Sequence, residues 1–398
     1  HSIFQDGGKY KMYYKACQIV LKQGEEGRSF QHPLFCCYAE SDDGINWYKP
    51  NLGLIEFNGS KNNNIVFTSG IVQGVDINGG HVTVFKDENP TVTSDALYKA
   101  LIRANEQNGI FAFKSPDGFR WTLMNKIPII TDGKFDTQNI AFWDSEHGEY
   151  RAYWRYYNKE MRDVRTAVSK NFIDWNSQKD LVYSDSLREQ LYTNQVKPYY
   201  RAPHIYIAFP TRYIDRGWSV SMRALPDKEH REWRSGFRER YGTALTEGLF
   251  MISRDGVHFK RWNEAFLRPG IEHPGTWNYG NQYIGWSVTE TKSKLEGAPN
   301  ELSLYAGENH WVSSVLRRYT LRMDGFVSIY ASMDGGEIVT KSLTFTGKNL
   351  FLNFSSSAAG GIRVEIQDIY GRPLPGFSLE DCSPIFGDAV ERVVYWKN

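Results

Sequence analysis

Apolar and polar residues alternate along this chain in short runs, and the period is two rather than 3.6. Tyr10-Lys-Met-Tyr-Tyr14, Ala96-Leu-Tyr-Lys-Ala-Leu-Ile102, Tyr150-Arg-Ala-Tyr-Trp-Arg-Tyr156 and His204-Ile-Tyr-Ile-Ala-Phe209 each read as a strand. Leu34-Phe-Cys-Cys-Tyr-Ala39, Gly109-Ile-Phe-Ala-Phe113 and Gly248-Leu-Phe-Met-Ile252 supply second strands, each ending in a tight turn. Helical periodicity is nearly absent, so the pattern predicts an all-β chain.

The turns repeat. Ser41-Asp-Asp-Gly-Ile-Asn-Trp47, Ser115-Pro-Asp-Gly-Phe-Arg-Trp121, Ser169-Lys-Asn-Phe-Ile-Asp-Trp175 and Ser253-Arg-Asp-Gly-Val-His-Phe259 are one hairpin copied four times. The serines lie 74, 54 and 84 residues apart, the size of a four-stranded propeller blade with insertions. The Asp or Asn side chain is expected to satisfy turn N–H groups while the aromatic ring packs between sheets, which makes the motif structural rather than catalytic.

A fifth unit lacks the motif but keeps the strand pair, in Gln282-Tyr-Ile-Gly-Trp-Ser-Val288 and Glu301-Leu-Ser-Leu-Tyr305. The first unit is expected to lack its innermost strand. The charged stretch 214–246 reads as an insertion that caps a pocket or meets a partner. After Arg322 the chain becomes a series of short strands: Phe326–Tyr330, Glu337–Thr340, Leu343–Phe345, Asn349–Phe354, Ile362–Gln367 and Arg392–Trp396. The expected architecture is therefore a five-bladed β-propeller over residues 1–322 followed by a C-terminal β-sandwich over 323–398. The chain opens at His1 without Met and stops in a strand-like run, consistent with truncation at both ends.

Composition narrows the function. The 47 basic and 46 acidic residues leave no electrostatic case for nucleic acid. Aromatic residues make up 15%, which suits stacked sheets and also sugar-binding surfaces. No apolar stretch approaches the ~20 residues that span a bilayer. Cys17, Cys36, Cys37 and Cys382 have no metal-ligand spacing, so no metal is expected, and buried free thiols fit better than a bridge from Cys17 to Cys36 or Cys37. Serine-hydrolase elbows, phosphate loops and zinc-protease motifs are absent from the sequence, and no cofactor is called for.

The five units, the C-terminal strands and Phe135-Asp-Thr-Gln-Asn-Ile-Ala-Phe-Trp-Asp144 together resemble the five-bladed propeller glycosidases of glycoside hydrolase families 32, 43, 68 and 117. The segments 38–50 and 53–64, with Leu191-Tyr-Thr-Asn194 and Arg322-Met-Asp-Gly-Phe-Val327, are similar to poorly characterised bacterial family-32-like proteins, and this covers nearly the whole chain. The resemblance implies carboxylates projecting from inner strand ends into a central funnel, one often borne by the first blade's inner strand. The W-M-N-D-P-N-G, R-D-P and E-C strings of family 32 are missing, so invertase-type activity is not implied.

Glycoside hydrolysis needs an acid for the leaving oxygen and a carboxylate that attacks or activates water. Asp136, flanked by Gln138 and Asn139 before an apolar run, is the candidate nucleophile, base or stabiliser. Glu189 is the candidate acid, with Glu247 and Glu272 as further catalytic candidates. Asp76 and His81 open the second blade and are candidates to face the funnel. Trp143, Tyr192 and Trp277 offer stacking faces, and Asn139 and Asn194 offer hydroxyl partners. Arg212, with Arg155 and Arg201, would serve an anionic substrate. The expected function is an exo-acting glycoside hydrolase on an oligo- or polysaccharide, in a secreted or periplasmic protein. The alternatives are a non-catalytic carbohydrate-binding propeller, a protein-binding propeller face and a sialidase-like enzyme, although no three-arginine cluster is identifiable in the sequence.

Overall fold

The computed structural model describes residues 1–22, 27 and 29–397. These are all-β apart from three short helices and one 3-10 turn. They divide into two compact units, His1–Thr289 with Ser303–Tyr319, and Glu290–Leu302 with Thr320–Asn398.

In the first unit the alternating runs pair into antiparallel sheets. The first sheet takes Ser2–Asp6, Lys9–Ala16, Phe35–Ser41 and Ile65–Thr68 in that order. The second takes Val75–Lys86, Tyr98–Ala104, Ile110–Ser115 and Thr122–Leu123, with Gly70–Val72 added beside Val75–Lys86. The third takes Ile140–Asp144, Glu149–Asn158, Met161–Ser169 and Asn176–Asp180. The fourth takes Lys197–Tyr199, Ala202–Ala208, Met251–Ser253 and His258–Arg261, where Val182–Ser184 joins in parallel. In the fifth, residues 282–286 run beside 305–307, with Gly285 N donating to Tyr305 O at 2.7 Å. The expectation that the first unit lacks an inner strand is corrected. Ser2–Asp6 pairs with Lys9–Ala16 through the turn Gly7-Gly8, whose φ values of +59° and +80° suit a two-residue hairpin that only glycines enter freely.

The sheets pack face to face, which is why strands such as Ile110–Ser115 are buried on both sides. Phe85, Trp154, Tyr206 and Trp286 share one core. Phe4, Tyr13, Phe67 and Trp121 share another, and Ile3, Met12 and Tyr305 a third.

The repeated turns lock this packing. Asp43 Oδ1 accepts from the N–H groups of Ile45 and Asn46, both at 2.7 Å. Asp117, Asn171 and Asp255 make the same pair of contacts. In the three glycine copies the Gly N–H donates to the serine Oγ at 2.9 Å. Each turn then leans on the preceding sheet. Gly118 O of the second turn accepts from Tyr13 of the first sheet at 3.1 Å. Phe172 of the third turn packs on Phe85 of the second sheet. Gly256 O of the fourth turn accepts from Tyr153 of the third sheet at 2.8 Å. Gly44 O of the first turn accepts from Tyr305 of the fifth sheet, so the order closes on itself.

A separate three-stranded sheet, Gln190–Leu191, Thr211–Asp215 and Ala244–Gly248, carries the charged insertion between its last two strands. That insertion folds as helices Val220–Ala224, Lys228–Ser235 and Arg240–Thr243. Ser219 caps the first by accepting from Met222 N at 3.1 Å. Two of its arginines are fully buried rather than solvated: Arg231 donates to Pro226 O, Thr276 O and Trp277 O at 2.8–2.9 Å, and Arg234 donates to Asn278.

The second unit holds the two-stranded antiparallel sheet of Phe351–Ser355 with Asp388–Val393. Cys382, Ile385 and Val394 form its small core. Arg322 fastens it, donating to Asn353 Oδ1 at 3.0 Å and Asp388 Oδ1 at 2.7 Å. The runs at 337–340 and 343–345 alternate as strands would, but they carry no ladder among the described residues, and Ile338, Val339, Leu343 and Phe345 are exposed. All four cysteines are unbridged. Burial pushes the Cys37 thiol up to about 11.

Candidate functional site

Segments of all five sheets meet at one place in the first unit. Gln138 Nε2 donates to His1 O at 3.1 Å, and Val84 N donates to Ser2 Oγ at 3.1 Å. Gln195 Nε2 donates to Gln138 Oε1 at 3.0 Å and to Ile284 O at 2.8 Å, and Trp286 Nε1 donates to Val196 O at 2.9 Å. A small cavity of about 40 Å³ opens beside them, lined among others by His1, Lys15, His81 and Gln138. Gln195 and Gln282 sit in the left-handed region at φ +52° and +56°, a strain that clusters at functional sites. Asn139 Oδ1, Asn194 Nδ2, Gln195 Oε1 and Gln282 Oε1 are buried without a hydrogen-bond partner among the described residues. Each such atom costs about 1–3 kcal/mol until something pairs with it.

Asp136 stands next to this meeting point, two residues before Gln138. Its side chain is 54% exposed and pairs with Arg155, which is 2% exposed. Arg155 lies over the Tyr192 ring at 4.8 Å, and Thr137 Oγ1 donates to Tyr192 O at 3.1 Å, so Asp136 and Tyr192 are held on one side of the unit. Around Tyr192 gather Tyr213, Tyr241 and Tyr279, with the Tyr279 hydroxyl donating to Tyr192 Oη at 3.1 Å. Arg162 lies over Tyr192 at 5.3 Å and Tyr213 at 4.6 Å, and Arg240 over Tyr279 at 5.4 Å.

Glu189 and Glu247 are brought together elsewhere. Arg212 donates to Glu189 Oε2 at 2.9 Å and to Glu247 Oε1 at 2.7 Å, and Arg261 reaches Glu189 at 3.0 Å. Arg212 and Tyr213 are neighbours in the strand Thr211–Asp215, so their side chains point to opposite faces of the sheet. Tyr213 belongs to the Tyr192 group; Arg212 and its two glutamates face the other way. The structure therefore pairs Glu189 with Glu247 and sets neither beside Asp136.

The remaining candidates separate. Asn139 donates to Phe135 O and Thr137 O at 3.0 Å and shapes the loop carrying Asp136. Asn194 is fully buried, its Oδ1 accepting from Val196 N at 3.4 Å. Asp76 accepts from Asn105 at 2.8 Å, and His81 Nδ1 contacts Asn78 Oδ1 at 2.9 Å at the cavity wall. Trp143 packs edge-on against Tyr150, away from the Tyr192 rings. Trp277, at φ +53°, donates Nε1 to Gly270 O at 2.9 Å, and Glu272 lies exposed in the same loop. The sequence reading missed Arg162, Tyr213, Tyr241 and Tyr279. They share no motif and meet only through strand pairing and the insertion. Among the described residues no group of three or more His, Cys, Asp or Glu side chains is gathered as a metal site would need, and no helix is long and apolar enough to cross a membrane.

No family model matches the chain, and no curated protein does. Solved structures overlap it weakly. An endo-arabinase from Bacteroides thetaiotaomicron is 11% identical over 81% of this chain and 93% of its own, with a TM-score of 0.46. An endo-1,4-β-xylanase from the same organism is 11% identical over 83% and 93%, at 0.47. A glycosyl hydrolase from Bacteroides ovatus is 14% identical over 80% and 82%, at 0.47. Overlap at this level decides neither fold nor chemistry, which rest on the sheets and side chains described above.

Proposed function

We propose that the first unit is a five-bladed propeller, the second a β-sandwich module, and that the chain is an exo-acting glycoside hydrolase whose sugar binds where the five sheets meet. The observation carrying this reading is the convergence there of unpartnered buried amides beside an exposed, arginine-held carboxylate and a tyrosine floor. Amides and carboxylates match sugar hydroxyls, and the exposed Tyr157 ring, over which Arg155 lies, matches the apolar side of a sugar ring. The closed order in which each repeated turn leans on the preceding sheet supports the propeller. The resemblance carried by residues 135–144 supports hydrolysis, with Asp136 at the reacting sugar; Glu189, the acid expected from the sequence, lies with Glu247 on Arg212 instead.

A second reading, a carbohydrate-binding propeller without turnover, is favoured by the position of Glu189 and Glu247 on Arg212, across the sheet from Tyr192. Hydrolysis requires two carboxylates about 5–9.5 Å apart across the scissile bond. A panel of plant, bacterial and animal glycans incubated with the chain, with released sugars separated chromatographically, decides between them. The hydrolase reading expects release of a terminal sugar, cut at least ~100-fold in Asp136→Asn. Undiminished release by Asp136→Asn overturns the assignment. Binding of a panel member without release establishes the second reading.

A further inference from the structure

Three guanidinium groups surround the tyrosine floor, and they meet little negative charge. Arg155 comes from the strand Glu149–Asn158, Arg162 from Met161–Ser169, and Arg240 from the last helix of the insertion. Arg155 and Arg162 share two rings: both lie over Tyr192, and both lie over Tyr157 at 6.0 and 5.7 Å. Arg240 closes the group over Tyr279, which is hydrogen-bonded to Tyr192. Asp136 pairs with Arg155; Arg162 donates to the neutral Gln190 amide; among the described residues no carboxylate pairs with Arg162 or Arg240.

Arg231 has its donors filled by four backbone carbonyls, and of the other arginines that keep unfilled buried donors, Arg151, Arg212 and Arg261 hold carboxylates. Here Nε and Nη1 of Arg155, itself 2% exposed, and Nε of Arg162 are buried without hydrogen-bond partners among the described residues. Like charges side by side in a partly dry site repel, and an anion between them removes that repulsion while filling the open donors. Guanidinium forks match the paired oxygens of a carboxylate or sulfate, and the Tyr157 ring that Arg155 and Arg162 share is 40% exposed and matches a sugar ring.

We infer that the sugar taken at this site carries an oxyanion, a uronate carboxylate or a sulfate ester, held by Arg155, Arg162 and Arg240 over Tyr192. This rests on the carbohydrate reading above and names its substrate class. The sequence hides the group because its arginines come from two strands of one sheet and from an insertion nearly eighty residues later.

The test is calorimetric titration of the full chain at low salt with three sets of probes. These are oligosaccharides of galacturonate and of glucuronate, the same oligosaccharides with their carboxyl groups reduced to alcohols, and sulfated galactose oligosaccharides. At least one charged probe is expected to bind ten-fold or more tightly than its uncharged counterpart, with the advantage shrinking as salt is raised. Preference within the charged sets separates uronate from sulfate. Arg162→Met and Arg240→Met should each remove most of that advantage, and Arg162→Lys, which keeps charge but loses the fork, should remove part of it. If a methionine variant fails to fold, the lysine variant and the salt series still decide. Equal binding of charged and uncharged probes overturns the inference but leaves the carbohydrate reading standing. Failure of every sugar to bind overturns both.

Discussion

Phe172 occupies, in the third turn, the position held by Gly44, Gly118 and Gly256 in the others, and it takes the same left-handed backbone. Its φ is +68°, against +72°, +82° and +74°. A side chain there costs about 1–2 kcal/mol. The ring offsets that cost: it is 0% exposed and packs against Tyr150 at 5.2 Å, Phe85 at 5.6 Å and Trp175 at 5.7 Å. Phe172→Ala loses the packing and keeps the backbone cost, so it should destabilise by about 3–5 kcal/mol. Phe172→Gly also loses the packing but recovers the backbone cost, for a net loss of about 2–3 kcal/mol. Glycine should thus be better tolerated than alanine, the reverse of the usual order in a strand. Urea denaturation followed by tryptophan fluorescence reads the ranking from the midpoints. An alanine variant more stable than the glycine variant, or either one matching the wild type, would refute the argument that this turn trades backbone strain for a ring between sheets.

Gly118→Ala places a Cβ 2.4 Å from the Tyr13 hydroxyl at φ +82°, and should destabilise by at least about 2 kcal/mol. In a Tyr13→Phe background the same change should cost about 1 kcal/mol less, because the clashing oxygen is gone; strict additivity in denaturation midpoints would contradict this. Backbone N–H groups of Asn46 and Ile45 hold Asp43 well below the usual carboxylate range, and Asp255 is held down by His258 and turn N–H groups against the opposing effect of burial. With folded-state values depressed, this stabilisation is present above about pH 4 and is lost as pH falls toward the folded values. Asp43→Asn, which keeps the accepting oxygen as Asn171 does, should flatten the fall in stability between pH 4 and 2, and an unchanged slope would count against the turn contacts. Arg212→Met leaves Glu247 without its cation and two carboxylates facing each other, and should lower stability by about 2 kcal/mol in thermal unfolding; an unchanged midpoint would argue against that cluster.

Much of the first unit was legible because its turns are chemically demanding. A serine hydroxyl, a carboxylate two residues on and a glycine at positive φ are needed together, so the motif marked four sheets out of five even where one copy had drifted to Asn171-Phe172. Ser2–Asp6 was missed because its hairpin is closed by Gly7-Gly8 alone. The helices of the insertion were missed because the stretch read only as a charged insertion, whereas Arg231 and Arg234 are buried on backbone carbonyls and Asn278. The site was legible only in part. Asp136 and Tyr192 were named and lie on one side, yet whether Glu189 joins them depends on the parity of Arg212 and Tyr213 in one short strand. No sequence pattern reports which of two adjacent residues faces the Tyr192 rings. The arginine group is hidden for the same reason, since strand pairing and the insertion assemble it.

The most direct measurement is a crystal of the Asp136→Asn chain soaked with whichever oligosaccharide the wild type binds or cleaves, the variant being chosen so that bound sugar persists. Density for a sugar ring within hydrogen-bond reach of residue 136 and against Tyr192, among the starts of the five sheets, is the predicted result. Ordered sugar on the Arg212 face beside Glu189 and Glu247, or on the second unit, with the Tyr192 group empty, would contradict it.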